Sequence, residues 1–252
     1  MSRSNGNNKS NEFTNRFPAL THQEIINNLA EGEKLNIADL TKVTVPTGGS
    51  LSWTIEKISG QESSKELTGI ILSQMLSRSL YASTYEENGG QESAICFSKD
   101  SIIGQLNPEL PNGELPEKLA KIGNPSGSCE NCPFSQWGTK LKGDGSFSRG
   151  QMCQQRRILF FLSPESNMPL LVSIPASGLK NIKRYLIGLQ SVGLKYWQTI
   201  TAIKLVSDKN IDGIKFSRPV FSPVEFVPKE NWEKVASYID ILNNTLKSQL
   251  YP

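Results

Sequence analysis

The chain has 252 residues, a net charge of +3 and an apolar fraction of 37%, room for one large domain or two small ones around a lean core. No run of about eighteen apolar residues occurs, which argues against a membrane-spanning helix. The Ser- and Asn-rich start lacks the apolar stretch of a signal peptide, so the expected compartment is the cytoplasm, where cysteines ligate metals more often than they form disulfides.

Residues 1–16 are expected to form a disordered tail, and residues 17–252 one globular domain. Thr21-His22-Gln23-Glu24 has capping-box spacing, and Ile25, Ile26 and Leu29 continue a short amphipathic helix toward Gly32. Thr41 to Val45 reads as extended, and Pro46 with Gly48-Gly49 as a turn. From Leu51 to Ile58, Leu51, Trp53 and Ile55 alternate with polar residues, the pattern of a half-buried strand. Leu67 to Tyr81 reads as one long, curved strand, because Gly69 and the serines weaken a helix.

Tyr85 to Ser93 is a polar loop, and Ala94 to Phe97 a short strand that delivers Cys96. From Ser98 to Gly150 regular periodicity is lost among Gly, Pro, Asn and Ser. So long a structureless stretch inside a compact domain needs a staple, so residues 94–156 are read as a zinc-stapled insertion. Arg157–Leu162 and Pro169–Ile174 form a hairpin. Ser177 is the expected cap of a helix carrying Leu179, Ile182, Tyr185, Leu186 and Leu189 on one face, ended by Gly193. Trp197 to Val206 alternates as a strand. Ile214 to Phe226, interrupted by Pro219 and Pro223, suits an edge or bulged strand. A last helix from Lys229 to Leu246 turns Trp232, Val235, Ile239, Leu242 and Leu246 to the core. The expected fold class is α+β, mainly β: an antiparallel OB-like barrel or sheet with peripheral helices and a zinc-stapled irregular region.

The four cysteines carry the clearest chemistry. Cys129-Glu130-Asn131-Cys132 is a CxxC knuckle whose two thiolates can reach one tetrahedral ion. Cys96 and Cys153 complete an all-cysteine set with no open position for water, so the expected cofactor is a structural Zn²⁺. An iron–sulfur cluster uses the same four thiolates and stays open as an alternative. A thioredoxin-type CxxC needs a strand before it and a helix after it, and the flanking Pro125-Ser126-Gly127-Ser128 and Pro133-Phe134-Ser135-Gln136 supply neither. His22, the single histidine, reads as a surface residue, and Asp100 as a turn cap.

With these residues in view, the chain resembles a mostly uncharacterised family of small four-cysteine proteins of phages, plasmids and other mobile elements. The resemblance covers roughly residues 67–207 and rests on four pieces. They are Cys96-Phe97-Ser98-Lys99-Asp100, Cys129-Glu130-Asn131-Cys132-Pro133 with Trp137-Gly138, Cys153, and the strand-to-helix step from Leu170 through Pro175 to Lys180. It departs at Arg149-Gly150-Gln151-Met152-Cys153, where the family often has Gly-Lys-x-Cys. The family is itself similar to phage single-stranded DNA-binding proteins of the OB-barrel kind. The resemblance therefore implies binding of single-stranded DNA in replication or recombination of a mobile element.

The residues point the same way on their own account. Between Asn131 and Ser207, ten basic residues face only Asp144 and Glu165, a balance of +8 that leaves −5 for the rest of the chain. Cations interleaved with aromatic rings suit phosphate tracking and base stacking. The expected nucleic-acid contacts are Trp53, Arg78, Tyr81, Trp137, Lys140, Lys142, Arg149, Arg156, Arg157, Lys183, Arg184 and Trp197. Trp137, in a Gly-flanked loop beside the knuckle, is the best candidate for an exposed ring. Tyr185, on an apolar helix stripe, is expected in the core. The alternative is a zinc-stabilised protein–protein adaptor in a replication or defence complex, docking through the C-terminal helix or N-terminal tail. No P-loop, G-x-S-x-G, HExxH or paired histidine occurs, so no enzymatic activity is expected.

Overall fold

The fold comes from a computed structural model, which describes residues 31, 33, 35–57, 60–82, 93–108, 115–125, 127–142, 144–164, 166–210 and 213–246. The expected tail, the helix from Thr21 and His22 lie outside the described residues. The strands are β1 (Lys42–Thr44), β2 (Trp53–Lys57), β3 (Gly60–Ser64), β4 (Glu66–Leu80), β5 (Cys96–Ser98), β6 (Gln105–Leu106), β7 (Lys140–Leu141), β8 (Phe147–Ser148), β9 (Gln154–Leu162), β10 (Leu170–Ile174), β11 (Thr199–Lys209) and β12 (Lys215–Phe226). The helices are α1 (Glu117–Ala120), α2 (Ala176–Ser191) and α3 (Trp232–Leu246). Among the described residues no helix is long and apolar enough to cross a membrane.

The chain divides into two compact units, one of residues 1–74 with 158–252, the other of residues 75–157. The second unit is wider than the expected 94–156 insertion because it takes in the end of β4, whose Leu80 pairs with Cys96 of β5.

The first unit is built on a mixed sheet in the order β1-β10-β9-β4-β11-β12. β11 runs antiparallel to both β4 and β12. β1 runs parallel to β10, with Val43 opposite Val172. An antiparallel barrel or sheet was the expectation. The observed form is a mixed sheet in which β1 lies parallel to β10, and among the described residues its path ends at β1 and β12. β12, with its two prolines, takes the edge position, where a missing N–H costs no ladder bond.

The core gathers Val43, Trp53, Ile55, Leu67, Ile71, Leu159, Phe161, Val172, Ile174, Ile182 and Ile203. Alternation in β2 places Trp53 and Ile55 inside, as the pattern requires. Helix α2 covers this core with Ile182 and Leu189 buried, and Tyr185 stacks on Phe221 with ring centroids 5.9 Å apart. Its N-cap is Pro175 rather than Ser177, because the fixed φ of proline already sets the entry and Ser177 falls inside the first turn. At the other end the amide of Leu194 donates to the Leu189 carbonyl past Gly193, whose φ of +76° turns the chain out. In α3 the buried residues include Val235, Tyr238 and Leu242. Tyr238 was not among the expected core residues. Its phenol donates to the Asn167 carbonyl, so its polar end is satisfied inside.

Gly69 marks the closest approach within the sheet. A Cβ there would stand 2.2 Å from the Leu162 carbonyl oxygen and 2.8 Å from the Phe161 ring. Strand β4 can therefore pass β9 only with hydrogen at this position. Gly69→Ala is expected to destabilise the first unit by at least about 2 kcal/mol, the scale of overpacking a strand contact. A urea titration would read this as a lower midpoint at unchanged slope, and an unchanged midpoint would contradict the packing described.

Candidate metal centre and the adjoining hairpin

The second unit has little regular structure, so its backbone groups are satisfied piecemeal. β4 and β5 pair antiparallel with Arg78 opposite Ser98 and Leu80 opposite Cys96. The chain then turns at Asp100, whose Oδ1 accepts hydrogen bonds from the amides of Ile102 (2.7 Å) and Ile103 (3.0 Å) and from the Ser98 hydroxyl (2.9 Å). These donors hold the Asp100 carboxyl below the usual carboxylate range, the Ile102 amide contributing most. Asp100 is thus the turn cap that its lone position suggested. The next residue, Ser101, has φ of +63°.

That turn sets the path of 102–104 beside 127–129. The Cys129 amide donates to the Ile102 carbonyl (2.8 Å), Gly104 donates to Gly127 (2.9 Å), and Ile103 bridges Ser128. A short chain of contacts thereby connects the strand bearing Cys96 to the knuckle. Within the knuckle the Ser135 hydroxyl lies 2.6 Å from the Cys129 carbonyl and 2.8 Å from the Cys132 carbonyl. The Gln136 amide donates to the carbonyls of Glu130 (3.0 Å) and Cys132 (3.3 Å). The Cys153 amide donates to the Phe134 carbonyl at 2.8 Å, which closes the loop.

All four cysteines line one small cavity, together with Arg78, Leu80, Ser98, Phe134 and Ser135. Cys129, Cys132 and Cys153 are buried, Cys96 is half-buried, and none is in a disulfide. Burial pushes the Cys96 thiol up to about 11, with Cys132 and Cys129 adding to the shift. Burial likewise pushes Cys153 up to about 12, opposed by Arg78 and reinforced by the other three cysteines. No group of three or more His, Cys, Asp or Glu side chains among the described residues is placed to hold a metal ion. The donor set suits a thiophilic ion: four thiols share one cavity and no carboxylate lines it.

Directly after the knuckle the chain makes a hairpin. Gly138, at φ of +87°, lets its amide reach the Gly150 carbonyl at 3.0 Å, and the amides of Thr139 and Lys140 share that acceptor. β7 and β8 then pair Lys140 with Ser148 and Leu141 with Phe147. At the tip the Asp144 carboxylate takes the Ser146 amide (2.9 Å) and hydroxyl (2.7 Å). The hairpin carries Trp137, 76% exposed, and Phe147, 53% exposed. Lys140, Lys142 and Arg149 are exposed beside them.

Not every expected contact residue is placed for binding. Trp53 is fully buried in the first unit, where its indole N–H donates to the Ile203 carbonyl at 3.2 Å, so it offers no face to a base. Arg78 faces the cysteine cavity, with Nε and Nη1 buried. Tyr81, Arg156 and Arg157 are half-buried in the second unit, and Arg156 donates to Gln154 at 3.2 Å. Lys183 and Arg184 are exposed on α2 in the first unit. Trp197, also in the first unit, is half-buried edge-on to Trp232 with Lys195 over its ring. Phe147 was not among the expected contacts. What singles it out is its strand position opposite Leu141, which the short, Gly-interrupted segment does not reveal.

With this geometry set out, no protein-family model, no curated protein and no solved structure matches the chain.

The Asp100 turn gives a pH-dependent expectation. Its carboxyl titrates lower when folded than when unfolded, so its stabilisation is present above the unfolded value near pH 4 and lost as pH falls through the folded one. Asp100→Asn should therefore lower the urea midpoint at pH 7, and the gap from the parent protein should close in acid. An equal gap at both ends of the range would remove the carboxylate from this role.

Proposed function

We propose that this protein binds single-stranded nucleic acid, DNA in particular, through a hairpin held in shape by a structural zinc site. One observation carries the reading. Two exposed aromatic rings, Trp137 and Phe147, sit among three exposed cations on the hairpin next to the cysteine cavity. A large exposed ring gains little from water and much from a nucleobase, whose face stacks without regard to sequence. Lys140, Lys142 and Arg149 offer charges for the phosphates between bases. Lys183 and Arg184 on α2 and Trp197 remain candidate contacts of the first unit. Service in replication or recombination of a mobile element, and an OB-like character of the sheet, belong to the same proposal.

In this reading Cys96, Cys129, Cys132 and Cys153 hold the ion. When bound, zinc supplies four metal–thiolate bonds and leaves no position for water, so it fixes loops and activates nothing. The surrounding residues orient the thiols. Ser135 ties the two knuckle carbonyls, Asp100 sets the turn after Cys96, and the Cys153 amide is held by Phe134.

A second reading has its own support. Ile102, Ile103 and Leu106 are 66%, 60% and 52% exposed in the same unit, apolar surface that suits a protein partner. A zinc-stabilised adaptor would use that patch and bind oligonucleotides poorly.

Fluorescence anisotropy with labelled single- and double-stranded oligonucleotides at two salt concentrations separates the two. Binding to a homopolymeric single strand that weakens steeply with salt is expected. Trp137→Ala should then cost about 1–3 kcal/mol, the value of one stacked base. Each of Lys140→Ala and Lys142→Ala should flatten the salt slope by about 0.7 if the lysine meets a phosphate. No binding by the parent protein would refute the reading in favour of the adaptor.

The metal has its own check. Cys132→Ser should abolish zinc by elemental analysis and unfold the second unit, because the binding energy of a structural zinc is folding energy. An unchanged melting profile would exclude a structural zinc.

A further inference from the structure

Arg78 stands in the wall of the cysteine cavity as its one charged side chain. In the β4–β5 pair, Arg78 lies opposite Ser98 and Leu80 opposite Cys96. Residues directly opposite share a face, as do residues two apart, so Arg78 and Cys96 project from the same side of the ladder as diagonal neighbours. Both Nε and Nη1 of Arg78 are buried with no hydrogen-bond partner among the described residues. A guanidinium cannot shed its charge, and buried N–H donors without an acceptor are costly to keep. No Asp or Glu lines the cavity, so the groups there able to become anionic are the four thiols.

We propose that Arg78 is the counter-cation of the metal centre, its buried N–H groups donating to a cysteine sulfur once the thiols are deprotonated by zinc. This rests on the zinc reading above. A zinc ion with four thiolates carries a net charge of −2, and in a buried site that charge needs compensation. One guanidinium halves it. Hydrogen bonds to sulfur also draw electron density from the thiolate, which makes it a poorer nucleophile toward electrophiles. Arg78 thus acts through the ligands as a positioning residue, and its earlier expected place among the nucleic-acid contacts is given up.

The test uses the full-length protein and its Arg78→Met and Arg78→Lys variants. Zinc affinity is measured by competition with a chromophoric chelator, and thiol reactivity by the rate of maleimide modification of the zinc-loaded protein. The charge-transfer band of the cobalt-substituted protein reports on sulfur directly. Arg78→Met is expected to weaken zinc binding roughly 10- to 100-fold, the usual effect of losing a partner of a metal ligand. Maleimide should react faster, and the cobalt band should move to lower energy as the sulfur loses its hydrogen bond. Arg78→Lys should fall between, keeping the charge but losing the planar fork.

A merely structural arginine would leave the cobalt band in place. Parent-like affinity, maleimide rate and band in Arg78→Met would overturn the assignment while leaving the zinc site standing. If the parent protein takes up no zinc, the metal reading itself fails. Should Arg78→Met not fold, Arg78→Lys against Arg78→Gln carries the comparison. Tighter zinc binding by Lys supports the role of charge, and equal affinities overturn it.

Discussion

Bringing Cys96, Cys129, Cys132 and Cys153 to one cavity is the constraint on which the second unit turns. Cys96 and Cys129 are separated by 33 positions, and Cys132 and Cys153 by 21. Closing loops of that length costs roughly 3 kcal/mol each in chain entropy, before the backbone inside them is fixed. Strands of two or three residues and a single-turn helix cannot offset that. The apolar core shared by Leu80, Ile95, Leu119 and Phe134 is small, and two of its other buried members are cysteines themselves. A zinc bound as proposed would contribute roughly 10–16 kcal/mol, the scale of zinc-finger sites, which would exceed the closure cost with margin.

The first unit needs no such help. Its sheet is continuous and its core holds Trp53, Phe161, Ile70, Ile71 and Ile203 at full burial. Polar side chains within it find partners too, as when Tyr185 pairs with Thr201 at 2.7 Å and Asn181 donates to the Pro219 carbonyl at 2.9 Å. One unit is thus held by apolar burial and strand pairing, the other by local turn chemistry around sulfur. Were zinc bound as proposed, its loss would act on the second unit and leave the core of the first in place.

Much of this was legible in the sequence because the relevant physics is local. Period-two alternation put Trp53 and Ile55 on one face of β2, and helical spacing placed Ile182 and Leu189 on the buried face of α2. The knuckle and Asp100 were readable because turns need particular residues at particular places. What was not readable is long-range. Nothing in Lys42–Thr44 says that it will lie parallel to Leu170–Ile174, a pairing across more than a hundred residues. The fate of aromatic and cationic residues was equally hidden. Trp53 and Trp137 have similar local contexts of Ser, Thr and Gly, yet one is sealed under the sheet and the other is 76% exposed. Arg78 reads as a surface cation on a polar strand until its register with Ser98 turns it toward sulfur.

Trp137 stands between the cysteine knuckle and the exposed hairpin. Stacking on a nucleobase is worth a few kcal/mol only if the ring is already held in place, since ordering a loop on binding consumes that gain. Trp137 follows the knuckle by five positions, and the intervening residues are held by Ser135, by Gln136 and by the hydroxyl of Thr139, which accepts from the Met152 amide at 3.1 Å and donates to the Gln136 carbonyl at 2.8 Å. Gln151 closes the far side by donating to the Ser135 carbonyl. The ring is thus exposed on a backbone that has few remaining degrees of freedom. An exposed tryptophan on a rigid base, with cations on the same hairpin, is a costly surface for a protein to keep in water, and a stacked, negatively charged strand is a partner that satisfies both its parts.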